Sequence, residues 1–215
     1  MKEPPTTVFV VDDDAEVRKS LVRLLKSAGH HTEAFSSADE FFASWQINPA
    51  PGCVVLDIMM PGMDGLQLQR KLQAALDGIP IIFITGHGDI PSSVSAMKAG
   101  AVDFFPKPFN DEDLLGAVRE AIQRNVQERR KRAELDTVAR RLATLTPRER
   151  EVMALVVRGM LNKQIAAALG ASEKTIKIHR RRVMEKMQVQ SVADLVRAAE
   201  KSAAGRASPP NPPDG

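Results

Sequence analysis

Polar residues able to do chemistry follow four apolar runs in the first half of the sequence. Asp12 and Asp13 come directly after VFVV, Asp57 after CVVL and Thr85 after IIFI, and Lys107 stands just past AVDFF. Carboxylates held close together raise one another's pKa, and a hard divalent cation such as Mg²⁺, which prefers oxygen ligands, relieves that conflict. These residue types therefore indicate a magnesium site if the fold brings the strand ends together.

A metal beside a carboxylate also suits phosphoryl transfer, because the cation neutralises the phosphoryl oxygens while the carboxylate attacks phosphorus. The product at Asp57 would be an aspartyl phosphate. Lys107 offers an ammonium and Thr85 a hydroxyl as donors to phosphoryl oxygens. Each also has an ordinary alternative, since a single Lys is usually solvated and a Thr at a strand end usually caps or turns. Their shared position after apolar runs favours a common site.

Five short apolar runs alternate with amphipathic stretches over this part of the chain, and they are expected to position these residues. The runs are TTVFVV (6–11), HTEAF (31–35), CVVLD (53–57), PIIFIT (80–85) and AVDFF (101–105). Strands this apolar on both faces fit a parallel sheet covered by helices on each side, and right-handed crossovers give a doubly wound α/β domain. Such sheets bind ligands beyond the carboxyl ends of their strands, so we expect the chemistry at that edge, here called the rim.

The segments VFVVDDDAEV, CVVLDIMMPGMDG, IIFITGHGD and AVDFFPKPF resemble the receiver domain of bacterial two-component response regulators, over about residues 5–122. The resemblance implies a (βα)5 fold and a bound Mg²⁺. It implies that Asp57 is the phosphoacceptor and Lys107 the phosphate-binding lysine. The metal ligands it implies are Asp12, Asp13, Asp57 and the backbone carbonyl of Met59.

The same resemblance implies a switch pair, Thr85 and Phe104, in which the aromatic ring turns inward when the hydroxyl follows the phosphoryl group. The chain has no tyrosine, so Phe104 would signal by packing alone. A cis peptide is implied between Lys107 and Pro108, against about 5–6 % for such bonds in general. His87 in TGHGD is the remaining candidate acid or base, and a plain loop residue is the favoured interpretation.

Composition limits the class of protein. With 215 residues, 43 % apolar and 27 % charged, the chain can form two ordinary domains. Its single cysteine, Cys53, excludes an internal disulfide framework and a cysteine-based zinc site. The longest apolar runs, such as 81–84, are too short to span a bilayer, and the N-terminal sequence meets acidic residues before a signal-peptide core forms. We therefore expect a cytoplasmic protein without a membrane partner.

Charge divides the chain into two parts. Residues 1–122 carry 10 Lys/Arg against 17 Asp/Glu, whereas residues 123–215 carry 20 against 10. A basic second half favours a nucleic acid as its partner, although basic residues also solvate helical surfaces. Residues 123–142 read as a helical linker in which the basic run 129–132 is a solvated face. The Pro/Gly/Ser-rich tail, 202–215, is expected to be disordered.

A helix-turn-helix pattern occupies the basic half. Thr146 and Glu149 predict a capping box, NKQIAAALG a short helix ending at Gly170, and Ser172 the cap of a longer basic helix. Helical spacing puts Ile176, Val183 and Met187 on the core face of that helix, with His179 at its edge. The opposite face carries Lys174, Ile178 and Arg181, flanked by Lys177 and Arg182. An isoleucine among basic residues suits a major groove, where apolar groups meet thymine methyls.

The block from LTPREREV to SVADLVRAAE resembles the LuxR/NarL/FixJ type of all-α DNA-binding domain, which we place at residues 143–201. GHGDIP and the capping block bring the whole chain closest to the FixJ branch. The resemblance implies that Lys177, Ile178 and Arg181 face the groove, and that the last helix pairs two subunits on DNA. Residues expected nearer the phosphates are Asn162, Lys163, Lys174, Thr175 and Arg182.

The sequence thus predicts a DNA-binding response regulator rather than an enzyme. The implied partners are a sensor histidine kinase, promoter DNA, RNA polymerase and a second copy of the chain after phosphorylation. Two alternatives stay open. A phosphatase or phosphotransferase would use Asp57 on a diffusible substrate but would not explain the helix-turn-helix. A phosphorelay or adaptor protein would bind protein or RNA with its basic helices, which the groove-facing stripe disfavours.

Overall fold

A computed structural model of the protein describes residues 5–47, 49–74, 78–86, 94 and 96–207, without the side chains of 204–207. The chain forms two compact units, Met1–Arg130 and Lys131–Gly215. Within the described ranges, no helix is both long and apolar enough to cross a membrane.

The first unit is built on a five-stranded parallel sheet. Its strands are β1 (Thr7–Val11), β2 (His31–Phe35), β3 (Gly52–Asp57), β4 (Ile81–Thr85) and β5 (Asp103–Pro106). They lie in the order β2-β1-β3-β4-β5, and every neighbouring pair is parallel. This is the doubly wound α/β sheet that the alternating pattern predicts. Because β1 and β3 are neighbours, the residues that follow them meet at the rim.

Helices cover both faces of this sheet, because successive strand residues point to opposite faces and the residues of both faces are buried. They are α1 (Ala15–Ser27), α2 (Ala38–Ile47), α3 (Gly65–Ala74) and the first part of α4 (Asp111–Ala143). In β1, Phe9 and Val11 belong to one core and Val8 and Val10 to the other. Residues 96–98 are also helical, and Asp14 caps α1 by accepting from the backbone N–H of Glu16. The two cores make the sheet a rigid support for its rim.

Helix α4 contacts the first unit well beyond the expected domain end at residue 122. The buried Asn125 accepts a hydrogen bond through Oδ1 from the backbone N–H of Gly52 at 3.0 Å. Arg129 donates to the backbone carbonyl of Pro49 at 3.0 Å. Arg129 therefore anchors the helix, whereas the sequence pattern favoured a solvated face for it.

Up to residue 207, where the described part of the chain ends, the second unit contains helices and no strand. Its helices after α4 are α5 (Pro147–Val157), α6 (Asn162–Leu169), α7 (Glu173–Met187) and α8 (Val192–Ala207). The predicted capping box is present, since Thr146 Oγ1 accepts from Glu149 N while Glu149 Oε2 accepts from Thr146 N. Gly170 ends α6 in the left-handed region, with φ 61°, and Ser172 caps α7. These caps define the turn between α6 and α7.

One boundary in this unit differs from the prediction. Helix α8 continues to Ala207, so residues 202–207 are helical where we expected a disordered tail; residues 208–215 lie outside the described part of the chain. Residues 203–207 contain three alanines, one glycine and one arginine, and the first proline of the tail comes only at Pro209. The Pro-rich composition that indicated disorder therefore begins after the helix has ended.

Candidate functional site

Three carboxylates meet at the rim. Val11 pairs with Leu56 in the parallel register of β1 and β3, so Asp12 and Asp57 lie side by side at the strand ends. Asp12 is fully buried and Asp57 is 6 % exposed, while Asp13 is exposed. One carboxylate oxygen from each of the three residues lies within 4.8 Å of the others. The cluster offers the hard oxygen donors that Mg²⁺ prefers, and its composition is compatible with that ion.

Lys107 joins two of these acids. Its Nζ donates to Asp12 Oδ2 at 2.8 Å and to Asp57 Oδ2 at 3.0 Å. Burial raises the pKa of Asp12, and the bond from Lys107 offsets this only in part. Burial acts to lower the pKa of Lys107, but its bonds to the two carboxylates outweigh burial and raise it. One ammonium among three carboxylates leaves the rim with an excess of acidic groups that a further cation would balance.

Thr85 lies on β4, which pairs with the strand of Asp57, and Phe104 lies on β5, the next strand out from β4. Thr85 ends β4 and is fully buried, and its backbone carbonyl accepts from the N–H of Lys107 at 2.7 Å. Phe104 pairs with Phe83 across β4 and β5 and is half-buried against the core. The peptide between Lys107 and Pro108 is cis, as the sequence resemblance implied. The candidate switch pair is therefore built into neighbouring strands at the site.

The turn after Asp57 is shaped by a close approach of backbone to backbone. The N–H of Met59 donates to Asp57 Oδ1 at 3.2 Å, and the Met59 side chain is 65 % exposed. Gly65, at the start of α3, donates to the carbonyl of Ile58 at 2.9 Å. A Cβ at Gly65 would lie 2.4 Å from the carbonyl oxygen of Asp57. Only glycine lets α3 begin this close beneath the acid.

Sequence reasoning missed one residue at the rim. Arg18, on α1, donates from Nη1 to the backbone carbonyl of Asp12 at 2.6 Å. The N–H of Asp14 donates to Asp12 Oδ1 at 2.9 Å, so hydrogen bonds hold both the carboxylate and the backbone carbonyl of Asp12. Arg18 lies one helical turn after the cap residue Asp14, and that spacing is the signal that could have placed it at the rim. His87, the other acid/base candidate, lies outside the described residues.

Helix α7 divides into a buried and an exposed face, as predicted. Ile176, Val183 and Met187 are buried in the helical core. Ile178 is 46 % exposed although it is apolar. Around it, the basic side chains are all exposed: Lys174, Lys177, Arg181 and Arg182. Arg181 Nε lies 3.0 Å from Glu185 Oε1 on the same surface, a pair weak enough to exchange for another anion.

The remaining residues expected near a nucleic acid lie at helix starts. Lys163 is exposed near the beginning of α6. Asn162 accepts through Oδ1 from Arg180 Nη1 at 3.1 Å, so it also holds α6 to α7. Thr175 shares the cap of α7, with its hydroxyl 2.8 Å from that of Ser172. Asn162 and Thr175 thus have structural contacts in addition to any with phosphates.

Two protein families match the chain, one over the unit that carries the rim and the other over the unit that carries α7. Residues 8–119 match the family described as response regulator receiver domain. Residues 143–199 match bacterial regulatory proteins of the luxR family. Proteins that combine these domains are transcriptional regulators rather than enzymes, which sets aside the phosphatase alternative.

Individual relatives match almost the whole chain. The response regulator protein TmoT of Ectopseudomonas mendocina is 46 % identical over 202 residues, covering 94 % of this chain and 91 % of the relative. The transcriptional regulatory protein FixJ of Bradyrhizobium diazoefficiens is 42 % identical over 195 residues, covering 91 % and 95 %. The solved structure of the response regulator StyR is 48 % identical with a TM-score of 0.83, covering 92 % and 99 %. The chain therefore belongs to the two-component response regulators that join a receiver domain to a LuxR-type DNA-binding domain.

Proposed function

We propose that Asp57 is the residue that accepts a phosphoryl group from a sensor histidine kinase. The observation that carries this proposal is the contact of one ammonium, Lys107, with both Asp12 and Asp57 inside the carboxylate cluster. The excess of acid at the rim supports Mg²⁺ binding through Asp12, Asp13, Asp57 and the backbone carbonyl of Met59.

The contacts of Asp57 suit nucleophilic attack. Its Oδ1 accepts from the Met59 N–H and its Oδ2 from Lys107, so two donors hold the carboxylate in a fixed orientation. A carboxylate oxygen attacks phosphorus, the bond from phosphorus to the donor's imidazole nitrogen breaks, and that nitrogen leaves with the electron pair. Lys107 then donates to a phosphoryl oxygen. A Mg²⁺ ion held by the rim carboxylates would neutralise charge on the phosphoryl oxygens.

The response to phosphorylation starts from β4 and β5, the two strands on one side of the strand that carries Asp57. The Thr85 hydroxyl follows the phosphoryl group and Phe104 turns inward. This changes the face made by the chain after β4 and by α4, and the altered face supports a homodimer. Two DNA-binding units then engage two half-sites at once and gain affinity by effective concentration, without a new base contact. The dimer acts on RNA polymerase at promoter DNA in the cytoplasm.

The exposed face of α7 is proposed as the surface that reads DNA. The exposure of Ile178 among basic side chains supports a major-groove contact, with Lys177 and Arg181 reaching base edges. Contacts nearer the phosphates are assigned to Lys174, Thr175, Arg182, Asn162 and Lys163. In this scheme the receiver is residues 1–122 and the DNA-binding domain 143–201, joined by 123–142.

Phosphorylation is tested by incubating the full chain with acetyl phosphate and Mg²⁺ and measuring intact mass and oligomeric state. Wild-type protein should gain one phosphoryl group and form dimers, and Asp57→Asn should do neither. The matched control is Asp64→Asn in the same turn, because Asn can still accept the helix-capping bond that Asp64 accepts from Gln67 N. Labelling that persists in Asp57→Asn would refute the assignment.

DNA reading is tested by selecting duplexes bound by the phosphorylated chain from a random pool. Arg181→Ala or Lys177→Ala should weaken binding to the selected duplex by roughly 1–3 kcal/mol. Lys163→Ala serves as the comparison, since loss of a phosphate contact lowers affinity on all sequences and reduces the salt dependence. Equal losses for Arg181→Ala on selected and random duplexes would contradict base reading.

A further inference from the structure

The C-terminal ends of α4 and α7 are joined by reciprocal hydrogen bonds. Arg141 of α4 donates from Nη1 to the backbone carbonyl of Met187 at 3.2 Å and from Nη2 to Gln188 Oε1 at 2.7 Å. In return, Lys186 of α7 donates from Nζ to the backbone carbonyl of Thr144 at 3.0 Å. Each helix thus supplies a cation to the other's end.

Physical chemistry favours this arrangement at the end of α7. The last carbonyls of a helix have no partner within the helix and carry partial negative charge, so a nearby cation stabilises them. A guanidinium presents several N–H donors in a fixed fork and can hold two acceptors at once. Gln188 has φ 53°, which among the described residues is the only positive φ outside glycine. Arg141 therefore holds α7 at a strained residue where the helix stops.

The part of α4 that carries Arg141 packs as a helix of the second unit. Val138 is 9 % exposed, and Leu142 packs against the same helical core. Glu134 Oε2 accepts from Lys201 Nζ of α8 at 2.7 Å. The luxR-family match begins only at residue 143, and the sequence pattern predicted a linker here. Residues 131–143 of this linker therefore also pack as part of the second unit.

We propose that Arg141 is a positioning residue for DNA recognition: it sets the orientation of α7 by fixing the end of the helix at Met187 and Gln188. The inference rests on the proposed function, in which α7 reads DNA. Arg181 and Ile178 lie within three turns of that fixed end. A tilt of that end displaces the side chains that reach base edges and so weakens the reading of sequence. Phosphate contacts carry no sequence information, so the affinity they provide changes less. Loss of Arg141 should therefore lower sequence preference more than general affinity.

The test compares Arg141→Ala with Arg140→Ala in the full chain. Both variants remove one positive charge from the same turn, but Arg140 is exposed and, among the described residues, bonds only to Thr137 Oγ1 of its own helix. Dissociation constants are measured on the selected duplex and on a random duplex of equal length, at several salt concentrations. Relative to Arg140→Ala, we expect Arg141→Ala to lose about three- to tenfold in affinity on the selected duplex, with an unchanged salt slope.

A second variant separates positioning from stability. Gln188→Gly removes the acceptor Oε1 but places glycine where φ is positive, which favours folding. It should unfold at an equal or higher temperature than wild type and yet lose affinity for the selected duplex by about two- to threefold. A purely structural role would move both quantities in the same direction. This variant also decides the question if Arg141→Ala fails to fold.

Other outcomes overturn the inference. Equal affinities of Arg141→Ala and Arg140→Ala on the selected duplex, or an unchanged affinity of Gln188→Gly, would remove the positioning role. A loss shared by the random duplex with a smaller salt slope would make Arg141 a phosphate contact instead. A wild-type chain that selects no sequence would overturn both this inference and the proposed DNA reading.

Discussion

Neutralising Glu149 should destabilise the DNA-binding unit in a pH-dependent way. Glu149 is 2 % exposed, and its Oε2 accepts from Lys186 Nζ at 2.6 Å and from Thr146 N at 2.9 Å. The bond from Lys186 is the main cause that lowers the pKa of Glu149 from 4.5 to about 2. Glu149→Gln keeps the size of the side chain and removes its charge, so Lys186 loses its ionic partner.

The size of the effect follows from that pKa. A change from 4.5 to about 2 corresponds to at most about 3.5 kcal/mol, since one unit of pKa is about 1.4 kcal/mol. The folded pKa lies below the unfolded one, so this stability is fully present above pH 4.5 and is lost as the pH falls towards 2. The free energy of unfolding of wild type should exceed that of Glu149→Gln by about 1–3 kcal/mol at pH 7. The difference should shrink steadily below pH 4.5.

Urea unfolding followed by circular dichroism at pH 7, 5, 4 and 3 measures this difference. Trp45, the single tryptophan, is buried in the first unit, so its fluorescence reports whether the receiver has changed. Glu151→Gln is the control, because its ion pair with Arg148 is half-exposed and should contribute less than about 1 kcal/mol. A difference between wild type and Glu149→Gln that does not vary with pH would refute the reasoning.

Two further predictions concern the receiver. Gly65→Ala should abolish labelling by acetyl phosphate, because the new Cβ would lie 2.4 Å from the carbonyl oxygen of Asp57. The control, Gly78→Ala, should label normally, because no atom lies within 4 Å of its added carbon. Equal labelling of the two variants would contradict the argument. Gln69→Leu should lower the free energy of unfolding by about 1–3 kcal/mol, because the buried Nε2 donates to the carbonyls of Ala96 at 3.1 Å and Ala99 at 2.9 Å. Urea unfolding followed by tryptophan fluorescence checks this against Gln67→Leu, an exposed position on the same helix, and similar losses in both would refute it.

The sequence predicted features that depend on local patterns. Alternation of apolar runs and amphipathic stretches predicted the parallel sheet, and acids directly after strands placed Asp12 and Asp57 at one edge. Caps were equally readable, because Thr146 and Glu149 have the spacing of a capping box and Ser172 precedes a basic helix. These signals are strong because each depends on residues that are only a few positions apart in the sequence.

Contacts between distant residues left no comparable pattern. Asn125 accepts from Gly52, 73 residues away, and Arg141 reaches Gln188 across 47 residues; a polar residue in a helix gives no indication of such a partner. The boundary between the two units, at residues 130 and 131, could not be predicted from the sequence either, because it falls inside one uninterrupted helix. The roles of the rim and α7 residues in phosphoryl transfer and DNA reading stay predictions.

The contacts of Lys107 also determine at what stage of synthesis and folding the rim site forms. Lys107 is 95 residues from Asp12 and 50 from Asp57, and it follows the last strand of the sheet. A chain still emerging from the ribosome carries its acids long before β5 has been made, and contacts of such large sequence separation form late in folding. In the proposed function, only a finished receiver can therefore accept a phosphoryl group at Asp57, and truncated or half-folded copies would take no part in signalling.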